Sequence, residues 1–414
     1  MLKKIPVSEV RIGMYLHELS GSWLDHPFWK TKFVIDDEVI LKRLQTSPVK
    51  EVWIDVEQGL DVAPVASPVP ETPLPTPEPA AAPAPPATPV APAPPLPLEK
   101  AAERAHAIRS QAKKQMTALF QEARLGKAIS TEHLSDLVED ISTSVMRNPG
   151  VFVSLSRLKN KDDYTYMHSV TVCALMISLG RQIGMDEKQL REAGMAGLLH
   201  DMGKALVPLE ILNKPGKLTD AEFSIMSEHP RKGWELLNTG SSGATEIAKD
   251  VCLHHHERQD GRGYPDRLMP DQMSAFVRMS SICDVYDAIT SNRPYKAGWD
   301  PAESVRRMAQ WTQEGHFDPR LFQAFVKSIG IYPTGSLVKL QSGRLAVVVG
   351  QHETSALTPL VKAFFSVKSN MQITPELIDL AKVGTRERIV SRELPEDWKI
   401  RNIDEIWTGV PVPN

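Results

Sequence analysis

The chain has 414 residues, a net charge of −3, 24% charged residues and 42% hydrophobic residues. At roughly 100–200 residues per domain this allows two to four domains, and the apolar content excludes a wholly disordered chain. The balanced charge excludes a basic binder of nucleic-acid polymers and a polybasic membrane anchor, while leaving room for a local basic pocket.

Residues 1–62 read as a small α/β domain. Glu51 to Val56 alternates with period two, as a strand does, Gly21-Ser22-Trp23 reads as a turn, and Val39 to Leu44 as a short helix. The first residues, MLKKIPVSEVRIGMYL, have no apolar segment or cleavage site of a signal peptide, and no run of about 18 apolar residues follows anywhere. A cytoplasmic protein without membrane insertion is expected. Fifteen of the 33 prolines fall between Pro64 and Pro97. Residues 63–98 are therefore expected to be a linker of polyproline-II character that separates modules and carries no chemistry.

Helix formers dominate from Glu99. The spacing predicts helices over 99–125, ended by Gly126, and from Thr131 to Met146, ended by Asn148-Pro149-Gly150. These make a connecting segment over 99–150. Residues 151–332 read as helix after helix: Tyr164–Ile183, a helix opened by Asp186, one opened by the capping box Thr219-Asp220-Ala221-Glu222, and further helices near 243–256, 273–290, 301–314 and 319–328. A β-rich extension over 333–414 is expected, with strands at Ser336–Leu340, Leu345–Val349 and Ala363–Val367. The fold class is thus mainly α, with a small α/β domain ahead and a short β-rich extension behind. The three cysteines, Cys173, Cys252 and Cys283, form no CxxC pair and sit in apolar contexts, which predicts buried packing.

Six of the 12 histidines fall between 168 and 256. Together with nearby carboxylates they form the set His168, His200-Asp201, His229, His255-His256 and Asp284. Successive groups are 32, 29, 26 and 28 residues apart, about one helix plus a loop each. Such groups lie on successive elements of a bundle and can converge on one point. Imidazole plus carboxylate without thiolate suits Fe, Mn, Zn, Ni or Co. Five histidines and two aspartates exceed the needs of one ion, and a carboxylate such as Asp201 can bridge two. Two ions would hold a bridging hydroxide and stabilise in-line attack on phosphorus, so the chemistry expected is that of a phosphohydrolase. Lys204, four residues after His200, is expected on the same helical face, where it could neutralise a phosphate oxygen. Pro294 would aim Arg293 and Lys296 together, and the Asp260–Pro265 loop would bring Tyr264 to a ligand.

These stretches resemble the HD-GYP family of cyclic di-GMP phosphodiesterases. The motifs are Tyr164-Thr165-Tyr166-Met167-His168-Ser169, Leu198-Leu199-His200-Asp201-Met202-Gly203-Lys204, Glu228-His229-Pro230, His255 through Pro265, and Cys283 through Ser291 followed by Arg293-Pro294-Tyr295-Lys296. They cover roughly 150–330. The resemblance implies an HD-type helical bundle in which His168, His200, Asp201, His229, His255, His256 and Asp284 ligate two divalent ions, Fe or Mn before Ni, Co or Zn. It implies Asp201 and Lys204 as catalytic, with Tyr264, Arg293 and Lys296 holding the substrate. The product implied is linear pGpG, which some members carry on to GMP, and signalling proteins such as diguanylate cyclase domains are implied partners. Some members place a glutamate for a third ion where this chain has Tyr164, with Asp162 and Asp163 off the best face, so a dinuclear site is expected. His254 falls outside the ligand set. Residues 1–60 also resemble a small domain of uncharacterised function often found ahead of such modules; Asp25 and His26 there are read as part of a structural turn. A receptor that binds the nucleotide without cutting it, and a phosphohydrolase of another nucleotide, remain the alternatives.

Overall fold

The computed structural model describes residues 2–19, 33–35, 41, 44–45, 50–60, 96–156, 164–239, 242–291, 298–352, 355, 357–400 and 403–409. The chain divides into two compact units, Met1–Pro92 and Ala93–Asn414.

In the first unit, strands β1 (Leu2–Pro6), β2 (Tyr15–Leu19), β3 (Phe33–Val34) and β4 (Glu51–Asp55) form an antiparallel sheet in the order β1-β4-β2-β3. The period-two pattern sends Val52 and Ile54 of β4 to one face, where they meet Ile5, Val7, Met14, Leu16 and Leu44 in a closed apolar core. The expected turn at 21–23, Asp25 and His26 lie outside the described residues. So do most of the expected helix at 39–44 and of the linker, up to residue 95.

The second unit is a helical bundle with an antiparallel sheet attached. Helix α1 (Leu98–Arg124) starts just past the prolines, and Asn148 clamps the chain ahead of it: its side chain accepts from Leu96 N and donates to Leu96 O, both at 3.1 Å. α2 (Leu134–Arg147) and α3 (Pro149–Ser156) follow. Pro149 both ends α2 and opens α3, where its missing N–H costs nothing. α4 (Tyr164–Gln182) is buried almost throughout and is the central helix; α5 (Glu187–Leu199) lies against it behind the capping box of Asp186 and Gln189. α6 (Leu209–Leu212), α7 (Asp220–Met226), α8 (His229–Leu237), α9 (Glu246–His254) and α10 (Ala275–Thr290) complete the surround of the site. α11 (Pro301–Gln313) and α12 (Pro319–Ile329) close the bundle. The buried Arg278 ties α10 to α12: it lies 3.2 Å from Asp318 Oδ2, while Asp318 Oδ1 caps α12 through Arg320 N and Leu321 N.

The five-stranded sheet has the order β8-β7-β6-β5-β9, from β5 (Leu337–Leu340), β6 (Arg344–Gly350), β7 (Leu360–Ser366), β8 (Met371–Asp379) and β9 (Ile389–Arg392). Three strands were expected; β8 and β9 are additional. β8 is an edge strand, which is how it tolerates Pro375. The segment expected as connecting helices and the β-rich extension pack into the same unit as the bundle. Phe120 of α1 meets Tyr166 of α4 edge to face at 5.2 Å, Ser154 donates to Thr334 O, and a last helix, α13 (Ile403–Thr408), buries Trp407. All three cysteines are buried and free.

Candidate metal centre

The chain builds this site mostly from helix ends. His200 caps the C-terminus of α5, His255 caps that of α9, and His229 opens α8 directly after α7. The last carbonyls of a helix have no intrahelical partner, and each of these histidines satisfies one through its Nδ1–H. His200 donates to Gly197 O at 2.8 Å, His229 to Met226 O at 2.7 Å and His255 to Cys252 O at 3.0 Å. A neutral imidazole that donates from Nδ1 carries a lone pair on Nε2. All three Nε2 atoms therefore point inward as acceptors.

His168 is different. It sits inside α4, where the neighbouring carbonyls are engaged, and its Nδ1 faces Asp287 Oδ2 at 2.6 Å. Ser291 donates to the other Asp287 oxygen at 2.9 Å. Its Nε2 lies 2.9 Å from Asp284 Oδ1 and 3.3 Å from His200 Nε2. His229 Nε2 and His255 Nε2 face each other at 3.3 Å in the same way.

Asp201 stands between the two groups and divides its oxygens. Oδ2 is 3.5 Å from His168 Nε2 and 3.4 Å from His200 Nε2; Oδ1 is 3.3 Å from His229 Nε2 and 3.6 Å from His255 Nε2. Oδ1 is fully buried without a hydrogen-bond partner. Asp284 spans the site on the other side, with Oδ2 3.5 Å from His256 Nδ1. Lone pairs brought this close, around an unpartnered buried carboxylate oxygen, repel unless a cation lies among them. The donor set therefore fits metal ions. Ligand atoms converge as two groups, His168-His200-Asp201 and His229-His255-His256.

Electrostatics agree with this at His200, His255 and His256; at His168 burial works downward too, but Asp284 and Asp287 beside it outweigh burial and push it up. Burial pushes the imidazoles of His200, His255 and His256 down, His256 to about 3, and the neighbouring imidazoles and Lys204 reinforce it. They are neutral, as ligands must be. Burial alone would raise Asp201 and Asp284. Lys204 and the imidazoles around Asp201, and His168 beside Asp284, overcome it and hold both carboxyls well below the usual range.

All seven expected ligands thus come together. Lys204 also reaches the site, by another route than the one expected: α5 stops at Leu199, and Lys204 lies in a 3-10 turn, Met202–Leu206. Its Nζ meets Asp201 Oδ2 at 2.5 Å through the tighter i, i+3 spacing of that turn. A Cβ on Gly203 would collide with the carbonyl oxygen of His229, so only glycine lets the turn sit this close to α8. Tyr264 lies over His256 with ring centroids 4.7 Å apart. Arg293 and Lys296 lie outside the described residues. Tyr164 presents its ring face to His168, stacked at 5.9 Å and within 5° of parallel. Asp162 and Asp163 also lie outside the described residues.

His254 points away: Nδ1 is 2.8 Å from Asp250 and Nε2 3.1 Å from Asp266. Two buried carboxylates escaped the sequence reading. Asp287 was one; its spacing of three from Asp284 on α10 was the available signal. The other is Glu257, which accepts from the backbone N–H groups of Asp266, Arg267 and Leu268 at 2.7–3.1 Å and so anchors the loop that carries Tyr264.

Residues 151–321 match the family described as HD domain, and residues 2–134 match a domain of unknown function, DUF3391. The chain is 52% identical over 411 residues to cyclic di-GMP phosphodiesterase PA4108 of Pseudomonas aeruginosa, covering 99% of this chain and 96% of that protein. It is 35% identical over 182 residues to the cyclic di-GMP phosphodiesterase response regulator RpfG of Xanthomonas campestris pv. campestris, covering 44% of each. Among solved structures, Bd1817, an HDG"Y"P protein of Bdellovibrio bacteriovorus, aligns over 78% of this chain and 98% of its own at 15% identity with a TM-score of 0.47.

Proposed function

Because the chain belongs to the family of HD-domain cyclic di-GMP phosphodiesterases, we propose that the buried histidine–aspartate centre is where it cuts that dinucleotide. The chain is a phosphodiesterase, and cyclic di-GMP is its substrate. The observation that carries the site assignment is Asp201, one oxygen turned to each group of inward-facing Nε2 atoms. His168, His200 and Asp284 would hold one divalent ion, His229, His255 and His256 a second, and Asp201 both. Imidazole and carboxylate donors suit Fe, Mn, Zn, Ni or Co, and the family resemblance puts Fe or Mn first. Ions held there would supply water activation and charge stabilisation for attack on phosphorus.

The residues around the ions do the rest. Lys204 is partly exposed and meets Asp201 through Oδ2, so its Nζ can also donate to a non-bridging phosphate oxygen. Burial and the charges of Asp284 and Asp201 push the Tyr264 phenol up, so it remains an O–H donor at the mouth. Arg293 and Lys296 complete the phosphate contacts in this reading. Position 164 offers an aromatic ring in place of a carboxylate, which supports reading the centre as dinuclear, with linear pGpG as the first product and GMP the product if cleavage continues. Cyclic di-GMP is a cytoplasmic messenger in this reading, and none of the described helices is long and apolar enough to cross a membrane.

Incubation of Fe- or Mn-loaded protein with cyclic di-GMP, followed by product chromatography, tests the assignment. Linear pGpG from the wild type and none from Asp201→Ala is expected. Binding without turnover would favour a receptor instead.

A further inference from the structure

α7 (Asp220–Met226) buries none of its residues, yet both its ends are fixed. At the start, Thr219 and Glu222 form a reciprocal capping box, and Lys214 grips Glu222 at 2.5 Å. At the end, Met226 O receives the Nδ1–H of His229. A seven-residue helix with no core face is marginal by itself. This one is tied to a ligand of the centre, so whatever it displays stands at a defined distance from that centre.

What it displays is Phe223, 52% exposed. Its ring lies edge-on to Tyr264, centroids 6.2 Å apart and planes 77° apart, and Tyr264 in turn covers His256. The aromatic series His256, Tyr264, Phe223 thus runs from the metal ligands to solvent. A phenyl ring left half in water costs free energy that any apolar cover would recover. Cyclic di-GMP carries two purines, each joined through a ribose to the phosphates that the centre and Lys204 would hold. We propose that Phe223 is the platform on which one guanine of the substrate stacks, making it a substrate-positioning residue. The proposal rests on the reading of the centre as a cyclic di-GMP phosphodiesterase site and assigns to α7 the recognition of the base, as distinct from the phosphate.

The test is steady-state kinetics on the metal-loaded full chain. Base–aromatic stacking predicts that Phe223→Ala raises KM for cyclic di-GMP about five- to a hundredfold. kcat and metal content stay near wild type, and Phe223→Trp restores KM. An unchanged KM would overturn the proposal. So would a fall in kcat and metal content together that Phe223→Trp does not repair, since that is the mark of a merely structural helix. Equilibrium binding of cyclic di-GMP in a Lys204→Ala background, with and without Phe223→Ala, reads the same contact without turnover. A wild type that binds but never cuts would speak against the phosphodiesterase reading, whereas equal affinities in that pair would speak against Phe223.

Discussion

The histidines of the centre are aimed by two different means. His200, His229 and His255 follow helix ends and are fixed by main-chain carbonyls at 2.7–3.0 Å. His168 lies inside a helix and is fixed by a side chain, Asp287, itself held by Ser291. A histidine at a helix end finds an orphan carbonyl ready to fix its tautomer; one within a helix must import a carboxylate. The aim of His168 is therefore exposed to a single substitution in a way that the aims of His200, His229 and His255 are not.

Five experiments, four of them substitutions, would break or sharpen that contrast. Asp201→Ala removes the carboxylate that faces the Nε2 atoms of His168, His200, His229 and His255, and a loss of both ions with a rate drop of at least about a thousandfold is expected from metal analysis and turnover. Lys204→Ala keeps both ions and lowers kcat about a hundred- to a thousandfold, the usual worth of a donor to developing charge. Asp287→Asn keeps the shape but weakens the hold on His168. Metal titration should show about ten- to a hundredfold weaker affinity at one of the two ions only, and equal weakening at both would erase the contrast. Cys252→Ala leaves the carbonyl that aims His255 in place but removes the sulfur that meets the Met202 and Gly203 N–H groups, so metal affinity should fall by less than in Asp287→Asn. The native thiols give the smallest signal. Burial pushes Cys173, Cys252 and Cys283 up in pKa. Iodoacetamide should therefore leave them unmodified near neutral pH until the chain is unfolded, as mass spectrometry would show.

Much of this site was legible in the sequence because ligand spacing follows element spacing. His168, His200, His229, His255 and Asp284 are one helix and loop apart, and the bundle brings them together. Helix starts were legible where a cap marks them, as at Asp186 and Thr219, both with their reciprocal bonds in place. What did not read out were features decided by long-range packing. Lys204 seemed to continue α5, but the close approach at Gly203 turns the chain into a 3-10 turn there. β8 hides behind Pro375 and its mixed polarity, which only an edge position accommodates. Glu257 is a carboxylate like any other in a sequence, and Asp287 is marked only by its spacing of three from Asp284; their roles exist only once a loop's N–H groups or a ring nitrogen arrive.

The central claim is that one carboxylate joins two ions into the catalytic centre. Stoichiometric reloading of the metal-free protein, with turnover of cyclic di-GMP followed at each addition, tests it most directly. Activity should appear as the second ion per chain binds and be absent from Asp201→Ala at every metal concentration. Full activity with one ion per chain, or turnover by Asp201→Ala, would contradict it.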